Sequence, residues 1–132
     1  MDTVDVLIVV DVEGALASDL GDNVYLIDTN KYVGSGSEGQ EELQTHCTDG
    51  QMIAWNVVPV AADTDVEIVG FTGQMITDGV CTPQQVTTPD GTYWEGRVEA
   101  RGTTGQQQYS VNLTMDGKQA SFDPFLVIAA AG

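Results

Sequence analysis

Over residues 3–12 the even positions Val4, Val6, Ile8, Val10 and Val12 are all apolar, while Asp5 and Asp11 share the odd positions with Leu7 and Val9. A repeat of two sends successive side chains to opposite faces, so this segment predicts a strand with one face in a core. Residues 65–71 alternate in the same way, with Val66 and Ile68 opposing Asp65 and Glu67. The clearest run is Tyr109, Val111, Leu113 and Met115, interleaved with Gln108, Ser110, Asn112 and Thr114. QMIAWNVVPV, residues 51–60, is apolar at both parities and predicts a central strand.

Turn chemistry sets how these strands join. Asp116-Gly117 suits a two-residue type I′ hairpin, whose central residues both need positive φ. Folding there places Leu113 opposite Ala120 and Val111 opposite Phe122, so the apolar faces agree across the turn. Pro89-Asp90-Gly91 is a second turn, after which Trp94, Val98 and Ala100 face one way and Glu95, Arg97, Glu99 and Arg101 the other. In ELQTHC, Leu43 and Cys47 share an apolar face while Glu42, Gln44 and His46 share a polar one. No window of ten residues carries helical spacing; Asn30 to Gln40, residues 72–84 and Val12-Glu13-Gly14 read as loops. Roughly eight to ten short strands with Gly-rich turns and little helix predict an all-β fold: a single-domain antiparallel β-sandwich, of which the jelly roll is one form. At 132 residues the chain forms one domain, 1–132, with a single core.

Charge then narrows the partners. Twenty acidic residues against four basic ones give a net charge of −16 and a pI near 4.1. Nucleic acid and anionic membrane surfaces need clustered Lys and Arg, and this field repels both. The same field makes association between copies dependent on salt, divalent cations or a fall in pH. The opening MDTVDVLIVVDVEG has no positive region, and Asp5 and Asp11 interrupt its apolar run; it reads as neither a signal peptide nor a membrane span. The expected address is cytoplasmic, with Cys47 and Cys81 as reduced thiols. Asn112-Leu-Thr114 is then an ordinary strand triplet rather than a glycosylation site.

Candidate chemistry is sparse. LIVVDVEGAL, residues 7–16, approaches the strand-end Asp-x-Asp-Gly-Thr of haloacid-dehalogenase-type phosphatases, but Glu13 stands where the second Asp belongs, and the parallel sheet with helices that such a site needs is not predicted. His46 and Cys47 are adjacent, hence on opposite strand faces, and do not form a base and nucleophile. With Cys81 they lack zinc-ligand spacing. DTNKYVGSGSEG starts like an EF-hand with Asp28, Asn30 and Tyr32, but Val33 and Gly39 replace the required Gly and Glu. Asp63, Asp65 and Glu67 remain as calcium candidates at a strand entrance. Trp55 lies in the most apolar strand and Trp94 on the apolar side of its own, so both are assigned to the core, leaving Tyr93 as the aromatic platform for a glycan or other small ligand. The residues identify no catalytic group and no cofactor-binding residue.

Several stretches carry a resemblance. VDVLIVVDVEGALAS, NVYLIDTNKYVGSGSEGQEEL, DGQMIAWNVVPVAADTDVEIVGFTGQMI, GTYWEGRVEA and SFDPFLVI, in that order along most of the chain, resemble the PixA/AidA family of bacterial inclusion-body proteins. The resemblance implies a bacterial, cytoplasmic, non-enzymatic protein without a cofactor, linked in some members to crystalline inclusions and in others to quorum sensing or host association. It supplies no catalytic residue. Two expectations result: a protein that associates with itself into homo-oligomers or inclusions, or a β-sandwich module that binds a carbohydrate or small ligand, with or without calcium.

Overall fold

A computed structural model describes residues 3–17, 23–29, 43–61, 63–89, 91–102 and 104–130. The elements run β1 (Val4–Val10), α1 (Val12–Ala17), β2 (Val24–Asp28), β3 (Gln44–Thr48), β4 (Met52–Pro59), β5 (Val66–Thr72), α2 (Gln74–Thr77), β6 (Gln84–Thr88), β7 (Gly91–Arg97), β8 (Gly105–Gln108), β9 (Ser110–Met115), β10 (Lys118–Phe122) and β11 (Phe125–Ala129). The fold is all-β. A five-stranded sheet has the order β2-β1-β4-β7-β6, and two three-stranded sheets have the orders β10-β9-β5 and β3-β11-β8. The expected loop from Asn30 to Gln40 lies outside the described residues, as do Glu42 and Asp90.

Periodicity explains the inward faces. On β1, Val4, Val6, Ile8 and Val10 are buried; on β9, Val111, Leu113 and Met115 are buried, with Tyr109 just before them. They meet Ile53 and Trp55 of β4, Ile68 of β5 and Leu126 and Ile128 of β11 in one hydrophobic cluster shared by all three sheets. At its centre the Trp55 indole N–H donates to the Tyr109 hydroxyl at 3.1 Å, so the two largest polar-tipped core rings satisfy each other. β4 is the middle strand of five; Ile53, Ala54 and Trp55 are buried, whereas Asn56 and Val58 on its outer face are exposed.

Strand direction departs from the purely antiparallel expectation. β1 pairs with β4 in parallel, Val6 beside Trp55, and β11 pairs with β3 in parallel, Val127 beside His46. A parallel pair needs a long crossover rather than a hairpin. Here α1, β2 and β3 lie between β1 and β4, and such distant partners leave no local pattern to read.

The segment after β1 is a helix and not a loop. The Asp11 side chain accepts from the Gly14 amide at 3.1 Å and its carbonyl from the Ala15 amide at 2.9 Å, so Asp11 is an N-cap. Gly14 fits because a Cβ there would collide with the Asn23 side chain. The stretch 72–84 likewise holds α2, one helical turn. The Asp116-Gly117 hairpin takes the expected register, Leu113 with Ala120 and Val111 with Phe122, and both turn residues have positive φ, 48° and 89°. The long alternating run is divided at Tyr109: β8 before it pairs with β11, β9 after it with β5 and β10, and the Tyr109 amide donates to the Pro124 carbonyl at 3.0 Å. One run of chain thus serves two sheets.

Candidate functional site

The odd positions of β1 build the most prominent surface. Leu7 lies between Ile27 of β2 and Asn56 of β4, and Val9 lies between Tyr25 and Val58. Paired residues share a face, so these side chains form two adjacent cross-strand rows on the outside of the five-stranded sheet. Leu7 is 37% exposed, Tyr25 46%, Ile27 43% and Val58 39%, values that leave large apolar groups in water. Val60, next along the chain, is 60% exposed. Neither row carries a charge, although the chain holds 20 acidic residues; the next row, Asp5, Ala54 and Glu95, restores it. A contiguous apolar area with a polar border is the usual mark of a contact surface.

A second feature is a cleft of about 270 Å³ between β5 and the β6–β7 hairpin, lined by Val57, Val66, Glu67, Ile68, Gln85, Thr92 and Trp94. Trp94 was expected in the core. It is half-buried instead, with its inner edge against Phe71 (ring centroids 5.5 Å apart) and the remainder lining the cleft. The inner face of the five-stranded sheet extends beyond the small sheet that covers it, and alternation alone cannot reveal that overhang. Tyr93, the expected platform, is half-buried and points to the opposite face.

The remaining candidates are dispersed. Asp63, Asp65 and Glu67 are exposed; Asp63 lies in the turn before β5, Asp65 just ahead of it, and Glu67 within it. Among the described residues no group of three or more His, Cys, Asp or Glu side chains is gathered so as to hold a metal. Asp28 is buried and its carboxylate accepts from the Thr45 hydroxyl at 2.8 Å; the other EF-hand positions lie outside the described residues. Cys47 and Cys81 are buried, unbridged thiols. Desolvation first, and then nearby negative groups, push both up to about 12, so neither is a thiolate near neutral pH. Burial likewise pushes the Tyr109 hydroxyl up. His46 is half-buried, beside Val127 of β11. Among the described residues no helix is long and apolar enough to cross a membrane.

A family model described as a domain of unknown function, DUF8788, matches residues 2–121. The chain belongs to the DUF8788 family. No curated protein matches this DUF8788 chain. Among solved structures, the inclusion body protein (PixA) from Burkholderia cenocepacia J2315 is similar, with a TM-score of 0.71 and 15% identity over 98% of this chain and 96% of that one. At that identity the likeness is one of fold, and it agrees with the PixA/AidA resemblance of the sequence.

Of the two surface features of the DUF8788 chain, the outer face of β1 and β2 had a partial signal in its sequence. Leu7 and Val9 stand at the positions that a half-solvated strand gives to polar residues, and Tyr25 and Ile27 do the same on β2. Their lateral alignment required the β1–β2 register. The cleft had no comparable signal, because it depends on where β5 ends its sheet.

Proposed function

We propose that this DUF8788 protein is a non-enzymatic, cytoplasmic, self-associating protein of the inclusion-body kind, and that copies meet through the outer face of β2, β1 and β4. The observation that carries this reading is the pair of uncharged rows, Tyr25–Val9–Val58 and Ile27–Leu7–Asn56, apolar except for Asn56 and exposed to solvent at Leu7, Tyr25, Ile27 and Val58. Burying such side chains contributes roughly 25 cal/mol per Å² of apolar surface, which rewards a second copy on the same face. A two-fold contact would be isologous, each row meeting its counterpart and the charged row falling at the rim. The shared fold with an inclusion body protein supports the reading, and the two buried, protonated thiols suit a reducing compartment.

The test is light-scattering mass across a concentration series for the native chain and for the double variant Leu7→Gln/Ile27→Gln, which removes apolar surface without altering charge. The expected result is a mass rising with concentration for the native chain and a monomer mass for the variant, with thermal stability nearly unchanged. A native chain that stays monomeric throughout, or a variant that assembles equally well, would overturn the proposal.

A further inference from the structure

β5 ends its sheet, and among the described residues only β9 pairs with it. The hydrogen-bond parity of that pair can be fixed from two directions. The Asp116 amide donates to the Asp65 carbonyl at 3.0 Å, so residue 65 directs its backbone at the β9 side. Independently, the two-residue turn makes Met115 and Lys118 a hydrogen-bonded pair, which turns residues 115 and 113 of β9 toward β10 and leaves residue 114 for β5. Both place Glu67 in a hydrogen-bonded pair with Thr114. Alternation then directs the N–H and C=O groups of Val66 and Ile68 away from β9, toward the open edge. That edge is the wall of the Trp94 cleft.

We propose that this cleft receives an extended, basic peptide segment, which adds to β5 as a short strand and places one apolar side chain against Trp94. The cleft, at about 270 Å³, is smaller than the ~300–1,000 Å³ that encloses a drug-sized ligand, so it accommodates part of a ligand while the rest lies along the edge. Strand addition gives partners to the edge-facing N–H and C=O groups of Val66 and Ile68, and the pocket beside them selects a side chain. Trp94 is a firm platform because Phe71 supports it, and Phe71 in turn packs on Trp55 with centroids 4.8 Å apart. The register shift between Ile68 and Gly70 leaves Val69 as an exposed bulge, 51% exposed, which breaks the regular alternation along the open edge and limits the added strand to a few residues. Charge selects the flanks. Asp63, Asp65 and Glu67 are exposed along β5 and its approach, the cleft lining has no Lys or Arg among the described residues, and the chain carries −16.

The inference is independent of self-association and is tested at low salt and low protein concentration. The ¹⁵N-labelled full chain is titrated with acetyl-Lys-Val-Leu-Val-Lys-amide, with the same peptide N-methylated either at Leu or at both Val, and with an acidic version carrying Glu in place of Lys. Because only alternate residues of an added strand face β5, one N-methylated peptide should bind at least tenfold more weakly and the other nearly as the parent. Shifts should centre on the Val66, Glu67 and Ile68 amides and the Trp94 indole N–H, the acidic peptide should produce none, and Thr92→Lys at the rim should weaken the parent at least fivefold. No shift at millimolar peptide, shifts away from β5, or equal effects of the two N-methylation patterns would overturn strand addition.

Discussion

Burial raises the thiols of Cys47 and Cys81 from an ordinary 9.0 to about 12, with the charge of Asp49 adding to the first and Cys47 and Glu99 to the second. Folding therefore favours the protonated thiol. Below about pH 9 both folded and unfolded chains hold these protons and the contribution is fully present. As pH rises toward 12 the unfolded chain releases them first, and stability is lost across that window. Thermal unfolding followed from pH 7 to 11 should show a Tm that is level to about pH 9 and then falls, and Cys47→Ala/Cys81→Ala should flatten the fall; a level native profile would contradict the burial of these groups. Tyr109, raised by burial as well, should leave some residual slope in the variant. Single residues were unequally legible. Cys47 announced itself as core by strand parity and Trp55 by lying in the most apolar strand, whereas the capping role of Asp11 needed the helix behind it to be known.

Within β7, Gly96 is buried on the inward face and pairs with Ile53. A Cβ there would stand 2.7 Å from the Cys81 sulfur and 3.2 Å from the Pro83 backbone, which cannot retreat as a side-chain tip can. Gly96→Ala should cost about 1–3 kcal/mol, the range for overpacking. Gly70 of β5 has nothing within 4 Å of the same position, and Gly70→Ala should stay within about 0.5 kcal/mol. Chemical denaturation of both variants checks the contrast; equal losses would mean that the contact at Cys81 is not what excludes a side chain. Hairpins were the most legible elements, since Asp116-Gly117 and the alternation on either side specify turn and register locally. The helices α1 and α2 were not, because six and four residues are too few for a 3.6-residue repeat to show. Trp94 shows the same boundary: parity gave its face correctly, but whether that face is covered depends on a different sheet.

Across the molecule, each copy carries −16, so association through an uncharged face proceeds against a long-range repulsion. The Debye length falls from about 30 Å at 0.01 M salt to about 8 Å at 0.15 M, which removes most of the repulsion between approaching copies and little of the contact itself. Mass measured by light scattering should therefore rise with sodium chloride at fixed protein concentration, and rise again as pH is lowered toward 4.1. A mass insensitive to both would show that the −16 field does not oppose the contact. The all-β class was legible because period-two alternation recurs along the chain, but the parallel β1–β4 and β3–β11 pairs were not, since a strand's local pattern does not name a distant partner. The position of β11 between β3 and β8 also bears on synthesis. Both neighbours leave the ribosome before it does, so for a time the nascent chain presents two strand edges whose shared partner is still untranslated. An acidic chain is well suited to that interval, because mutual repulsion keeps unfinished copies apart until the middle strand arrives to close the sheet.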